Sequence, residues 1–205
     1  MCIVQNRGWK RTCNGHEPPV TGAVATSGET SAAPPLPPPA EFPDEPLKNR
    51  RLVESFSGDP SKGGCHLSDA WERAGGAAER RDILISTAHD MLHSETFWKD
   101  ELKKPADVYS FAPPCTTLSA AHTTPVLRSS ENPYGDETNP EVNYANRLVY
   151  MTLKRALQVL SVGAHVLIEN PLMSYFWLFD EVKKLLGCLG MCLVRIDQCT
   201  VGTPL

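Results

Sequence analysis

The chain has 205 residues, of which 41% are hydrophobic, and its formal net charge is −4 at pH 7. This length allows one domain of ordinary size with a single packed core. No apolar run reaches the roughly 18 residues of a membrane span, and residues 1–10 lack the apolar stretch of a secretory signal. We therefore expect an intracellular protein without a membrane anchor, whose seven cysteines are reduced thiols.

The first 48 residues differ from the remainder in composition. Residues 1–50 contain nine of the 18 prolines, five of them between Pro34 and Pro39. They show little apolar periodicity, so burial cannot offset the entropy lost when this segment becomes ordered. The sequence predicts a disordered, Pro-rich segment over 1–48 that adds nothing to the core. The folded domain is expected over 49–205.

From residue 51 onward, short apolar runs alternate with helical segments. A strand is expected at 52–56, followed by a glycine-rich turn and a short helix over 68–74 with Ser68 as its cap. The next strand is expected at Val108–Phe111. Because strands and helices alternate, we predict an α/β fold with a mostly parallel sheet and helices on both faces.

The longest helix has the clearest sequence signals. Asn139 can cap it, Pro140 suits its first position and Glu141 its first turn, and Gly163 ends it. One face is lined at three-to-four spacing by small and apolar residues: Ala145, Leu148, Thr152, Ala156 and Leu160. A strand at 165–168, a helix at 180–186 and a strand at 191–196 are expected to follow.

Three unusual motifs each come directly after a predicted strand, where parallel sheets bind ligands. The first is a turn with Glu54, Phe56, Gly58 and Gly64, in which glycines would let the backbone approach a ligand. Asp82 lies about 20 residues further on, at the distance typical of an acid that holds a ribose hydroxyl. A plain glycine turn remains the alternative.

The second motif is Pro113-Pro114-Cys115. Two prolines restrict the backbone and present the cysteine at the end of a strand, where it could act as a nucleophile. A buried structural cysteine is the alternative.

The third motif is Glu169-Asn170-Pro171, which follows an apolar strand. Burial there would raise the pKa of the carboxyl and allow it to act as an acid. The same tripeptide at 131–133 lies in a polar loop and is interpreted as chance.

In this order, the motifs resemble the cytosine-5 DNA methyltransferase family and its divergent relatives in mobile elements. The family has a Phe-x-Gly-x-Gly turn, a Pro-Cys loop, a Glu-Asn pair after a later strand, and a Gly-x-Pro segment that resembles 202–204. The resemblance implies a Rossmann-like sheet that binds S-adenosylmethionine, with DNA as the partner. It assigns catalysis to Cys115 and Glu169 and substrate contacts to Pro114 and Asn170. The cofactor would contact Glu54, Phe56, Gly58, Gly64, Asp82 and Asp90.

The resemblance also implies a mechanism. The thiolate of Cys115 would add to C6 of a flipped-out cytosine while Glu169 hydrogen-bonds or protonates N3. The ring carbon C5 would then accept a methyl group, and loss of its proton would release the cysteine.

The sequence departs from the family pattern at several places. Residues 59–63 form an insertion within the glycine turn, Thr116 replaces a glutamine, and Pro171 replaces a valine. The chain ends at Leu205, before the arginines and the target-recognition region of the family. The domain is therefore expected to be incomplete at its C-terminus.

Other functions remain open. The chain could be an inactive methyltransferase-like module, or an amino-group methyltransferase acting on adenine N6 or cytosine N4. Amino-group methyltransferases have a polar residue before Pro-Pro and an aromatic residue after it. Here these two positions are occupied by Ala112 and Cys115. A cysteine hydrolase would pair Cys115 with His122 or His165, and a zinc site could use Cys188, Cys192 and Cys199, although no metal is expected.

Charge gives limited support for nucleic-acid binding. DNA-binding proteins usually present a basic face, and residues 51–205 carry the whole net charge of −4. A local patch of Arg73, Arg80 and Arg81 is the remaining candidate.

Overall fold

The computed structural model describes residues 2–5, 47–119, 127–188 and 191–194. The predicted segment 1–48 lies mostly outside these ranges. Its residues Cys2–Gln5 form strand β1, which pairs within the sheet, so the prediction of disorder is wrong for these four residues. Parts of the predicted C-terminal strand and the Gly-x-Pro segment also lie outside the described residues.

The described strands form one six-stranded sheet. After β1 come β2 (Arg51–Ser55), β3 (Ala77–Arg81), β4 (Val108–Phe111), β5 (His165–Glu169) and β6 (Met191–Val194). Their order across the sheet is β3-β2-β4-β5-β1-β6. Strands β3, β2, β4 and β5 are parallel to one another, while β1 lies antiparallel to both of its neighbours, β5 and β6.

Four α-helices in the described part of the chain accompany the sheet, so the predicted α/β class is confirmed. They are α1 (His66–Arg73), α2 (Glu95–Glu101), α3 (Pro140–Ser161) and α4 (Asp180–Cys188). Helix α3 begins as predicted, because the Asn139 side chain accepts hydrogen bonds from the backbone N–H groups of Glu141 and Val142.

Alternation along the strands gives the sheet two distinct faces. Val53, Tyr109, Phe111, Val166 and Ile168 are almost fully buried in one core with apolar residues of α2 and α3. The side chain of Glu54 lies on the opposite face and accepts a hydrogen bond from the backbone N–H of Ser68 in α1. Helices therefore cover both faces of the parallel strands.

Besides β1, two further elements were absent from the sequence prediction. Strand β3 has the sequence Ala-Ala-Glu-Arg-Arg, which lacks apolar alternation because it is an edge strand, and charged side chains are common on such strands. Helix α2 is short and buries Trp98.

Candidate functional site

A cavity of about 420 Å³ lies at the carboxyl edge of the sheet, at the ends of β2, β3 and β4 and against α3. It contains four residues that the sequence had marked: Phe56, Asp82, Asp90 and Pro114. Its remaining walls are mostly apolar or aromatic: Ile83, Leu84, Met91, Trp98, Ala112, Tyr144 and Leu148. Arg81, Ser55, His89 and Ser94 add polar groups. A few polar groups in an apolar cavity of this size are typical of a small-molecule site.

Asp82 joins the glycine turn to the end of β3. One carboxylate oxygen accepts a hydrogen bond from the backbone N–H of Gly58 at 2.9 Å, and the other accepts from that of Leu84 at 2.8 Å. The structure therefore places Gly58 and Asp82 on the same side of the sheet edge, as the cofactor hypothesis requires. The carboxylate has a structural task in addition to any ligand contact.

The insertion at 59–63 folds as a closed turn of its own. Asp59 caps it by accepting from the backbone N–H of Ser61, and its carbonyl oxygen accepts from Gly64. This brings Gly58, which has a φ of 78°, against Gly64. A Cβ on Gly64 would lie 2.8 Å from the backbone nitrogen of Asp59. The turn itself requires glycine at this position, whatever binds nearby.

Three predicted cofactor residues, Glu54, Gly58 and Gly64, lie outside the cavity lining. Glu54 alternates with Ser55 along β2 and hydrogen-bonds to the backbone N–H and hydroxyl of Ser68 on the α1 face. Gly64 is packed against Asp59. Of the five residues predicted to surround one pocket, Asp82 and Asp90 line this cavity, while Glu54, Gly58 and Gly64 do not.

Asp90 lines the cavity from the loop after β3. Its carboxylate accepts from the backbone N–H of Leu92 at 2.9 Å and lies 2.7 Å from Nδ1 of His93. Burial raises the pKa of Asp90, but the hydrogen bonds from His93 and Leu92 outweigh that effect and lower it below the usual range. Asp90 is therefore a stable carboxylate that could accept a hydrogen bond from a ligand.

The Pro-Pro-Cys loop follows β4 directly. Pro113 is buried, Pro114 is exposed at the cavity, and Cys115 is half-buried. The carbonyl oxygen of Cys115 accepts from the backbone N–H groups of Leu118 and Ser119, which closes a tight turn after the cysteine.

The Glu-Asn-Pro motif is tied to this loop. The side-chain amide of Asn170 donates to the carbonyl oxygen of Pro113 at 2.9 Å, and Ser174 donates to that of Leu118 at 3.2 Å. Ser174 also forms an isolated antiparallel bridge with Ser119. The two motifs therefore share one hydrogen-bonded layer above β4 and β5.

Glu169 ends β5 with a half-buried side chain, and burial raises the pKa of its carboxyl. Ile168 pairs in register with Phe111, so Glu169 lies at the end of β5 beside the end of β4, which Cys115 follows in the chain. Neither residue lines the cavity. That the two side chains converge on one small ring stays a prediction.

Arg128 is a central residue that the sequence analysis missed. Its buried guanidinium donates to the carbonyl oxygens of Thr117, Pro133 and Tyr134 at 2.8–2.9 Å, and also to Asn146. It thereby anchors the segment that follows Cys115 to α3. No local pattern marks an arginine for this role, because its partners are distant in sequence and mostly backbone groups.

The expected basic patch is largely neutralised. Arg80 forms ion pairs with Asp69 and Glu72 of α1, and Arg81 pairs with Glu79 and lies 3.3 Å over the ring of Phe97. Arg73 is exposed.

Metal binding and membrane insertion concern the described residues, 2–5, 47–119, 127–188 and 191–194. Within those ranges, no cluster of three or more His, Cys, Asp or Glu side chains could hold a metal ion. Over the same part of the chain, no helix is long and apolar enough to cross a membrane. Cys199 and His122, named above in alternative sites, fall outside it.

The chain was compared with protein-family models, with curated proteins and with solved structures. None of the three comparisons found a match.

Proposed function

We propose that this chain carries a Rossmann-like S-adenosylmethionine site and that it transfers a methyl group to C5 of cytosine in DNA through a covalent adduct with Cys115. One observation carries the proposal. The cavity brings Phe56, Asp82 and Asp90, which were expected at a cofactor, beside Pro114 of the nucleophile loop. A methyl donor bound there would lie beside Pro114, in the loop that carries Cys115.

The residues around the cavity fit the proposed cofactor. A volume of about 420 Å³ falls within the range of roughly 300–1,000 Å³ common for small-molecule sites. Phe56, Trp98 and Tyr144 offer aromatic surface to a planar ring, and Ser55 has a buried hydroxyl with no hydrogen-bond partner among the described residues. When bound, S-adenosylmethionine would supply an electrophilic methyl group on a sulfonium centre.

The chain's own residues would act on the cytosine. The Cys115 sulfur would form a bond to C6, and the displaced electron pair would pass through the ring to N3 and C5. Glu169 would hydrogen-bond or protonate N3, and burial raises its pKa in the direction that keeps its proton. After methylation of C5, loss of the C5 proton would return the electron pair and break the C6–sulfur bond.

Asn170 supports this chemistry as a positioning residue. Because its amide holds the carbonyl of Pro113, movement of the Glu-Asn-Pro segment is coupled to the loop that presents Cys115. DNA as substrate follows from the resemblance, and the target base would have to leave the stack to reach the thiol.

The test is a covalent trap. In a duplex oligonucleotide containing 5-fluorocytosine, fluorine replaces the C5 proton and cannot be eliminated as a cation. Incubation with S-adenosylmethionine should therefore leave an adduct that mass spectrometry maps to Cys115. Cys115→Ser should abolish the adduct, Glu169→Gln should slow it strongly, and the control Cys13→Ser should leave it unchanged. An adduct on a different cysteine would contradict the assigned mechanism.

A second candidate is a methyltransferase-like module that binds the nucleoside cofactor but transfers no methyl group. The ion pairs of Arg80 and Arg81 favour it, because both guanidinium groups already have carboxylate partners and are poorly suited to phosphate contacts. Binding of S-adenosylmethionine without any adduct on the 5-fluorocytosine duplex would select this candidate.

A further inference from the structure

Two polar atoms at the cavity have no hydrogen-bond partner within the described part of the chain. One is the hydroxyl oxygen of Ser55, a residue only 2% exposed at the end of β2. The other is Nδ1 of His89, in the short turn Thr87–His89 after β3. A buried polar group left unsatisfied costs about 1–3 kcal/mol. Both residues line the cavity, so a ligand bound there can supply the missing partners.

The neighbouring polar groups at the cavity differ because they are already engaged. Asp82 binds the backbone N–H groups of Gly58 and Leu84, and Asp90 binds Leu92 and His93. The other two engaged groups are Arg81, which contacts Glu79 and the carbonyl of Ala88, and Ser94, whose hydroxyl accepts from Trp98.

We propose that Ser55 and His89 are specificity-determining residues that hydrogen-bond the nucleoside half of the ligand in this cavity. The inference rests on the cofactor site proposed above and adds two residues that neither the motifs nor the resemblance singled out. Ser55 is in register with Phe111 of β4, so its hydroxyl lies among aromatic and aliphatic walls suited to a planar ring.

The chemistry of the two groups favours the nucleoside over the amino-acid half. The Ser55 hydroxyl is uncharged. Burial, together with the charge of Arg81, lowers the pKa of His89, and this outweighs a hydrogen bond with the backbone of Asp82 that raises it, so the ring stays neutral. A carboxylate and an ammonium group need charged partners, whereas the ring nitrogens, amine and hydroxyls of a nucleoside suit neutral donors and acceptors. The charged side chains here are already paired with protein groups.

The test uses the full-length chain and two probes, S-adenosylmethionine and adenosine. Ser55→Ala and His89→Phe should each weaken calorimetric binding of both probes by the same factor, about three- to tenfold for one lost hydrogen bond. Without ligand, Ser55→Ala should melt at the same temperature as the wild type or higher, because it removes an unsatisfied hydroxyl. His89→Asn, which can place a polar atom near the position of Nδ1, should recover part of the affinity.

Matched controls are available nearby. Ser57→Ala removes a buried hydroxyl two residues beyond Ser55, and Ser57 does not line the cavity. His66→Phe changes an exposed histidine of α1. Both should bind the probes as the wild type does.

The outcomes separate this inference from the proposed function. If the wild type binds S-adenosylmethionine and the two variants bind it equally well, the roles of Ser55 and His89 are refuted while the cofactor site stands. Weakened binding of S-adenosylmethionine with unchanged binding of adenosine would refute the nucleoside assignment. A lower melting temperature for ligand-free Ser55→Ala would reveal an internal partner and overturn the argument. If the wild type binds neither probe, the cofactor proposal and this inference both fail.

Discussion

The side-chain amide of Asn170 donates a hydrogen bond to the backbone carbonyl oxygen of Pro113 over 2.9 Å. The bond links residues 57 positions apart and joins the segments that follow two neighbouring parallel strands. Asn170 is 1% exposed, so water cannot readily replace the amide. The loop that carries Cys115 is therefore held by a residue from the third motif.

We predict that Asn170→Ala lowers the free energy of unfolding by about 1–3 kcal/mol, because it leaves the buried carbonyl of Pro113 without its donor. The loosened loop should also make Cys115 react faster with a thiol reagent. Urea denaturation and labelling kinetics measure the two effects. Asn132→Ala is the matched control, since Asn132 belongs to the exposed Glu-Asn-Pro copy and its side-chain amide donates to the carbonyl of Gly135 in its own loop. Equal losses in the two variants would contradict the prediction.

A second prediction concerns Arg128. Replacement by Met removes the hydrogen bonds to the buried carbonyl groups of Thr117 and Val142. It should lower the free energy of unfolding by at least about 3 kcal/mol. Arg128→Lys should recover only part of the loss, because an ammonium group cannot reach acceptors in so many directions. Urea denaturation at neutral pH measures these differences.

Arg50→Ala provides the comparison. Arg50 pairs with Asp107 at 2.7 Å, but its side chain is 63% exposed. An exposed pair contributes about 0–1 kcal/mol. A loss for Arg128→Met as small as that for Arg50→Ala would show that the buried network is not a structural clamp.

The glycine turn gives a third prediction. Gly64→Ala would place a Cβ within 2.8–2.9 Å of backbone atoms of Asp59 and Gly58. Overpacking against backbone should cost about 1–3 kcal/mol. Gly187→Ala meets no atom within 4 Å and lies within α4, so it should stabilise the protein by up to about 1 kcal/mol. Thermal unfolding of the two variants should shift in opposite directions, and a neutral Gly64→Ala would refute the tight packing of the turn.

The extent to which the sequence predicted this structure depended on how local each signal was. The α3 boundary was predictable because Asn139, Pro140 and the apolar spacing act within a few residues. Strand β3 was missed because its stability comes from pairing with β2 and from ion pairs to α1, both of which are tertiary. Asp82 was found by its spacing to the glycine turn. Ser55 and His89 were missed because an unpaired polar atom can be recognised only after all its neighbours are placed.

The pKa of the glutamate carboxyl shifts in opposite directions in the two Glu-Asn-Pro copies. Burial raises the pKa of Glu169, whereas hydrogen bonds, chiefly from the Ser130 hydroxyl, lower the pKa of the exposed Glu131. The same three letters thus place one carboxyl where the protonated form is favoured and the other where the charged form is favoured. This difference bears directly on the acid role proposed for Glu169.

The fourth prediction follows from that difference. Because the folded state raises the pKa of Glu169, its favourable contribution is complete below the ordinary value of 4.5 and is lost as the pH rises through the raised pKa. Gln imitates the protonated carboxyl, so Glu169→Gln and the wild type should melt together at about pH 4, and the variant should melt higher at about pH 8. Glu131→Gln should not raise the melting temperature at about pH 8. The pKa of Glu131 is lowered in the fold, so this carboxylate stabilises the protein when it is charged, and the variant loses that contribution. Melting temperatures across this range check both variants. A Glu169→Gln variant that melts below the wild type at about pH 8 would mean that the carboxylate has a partner in the fold, and the proposed proton donation to N3 of the base would lose its physical basis.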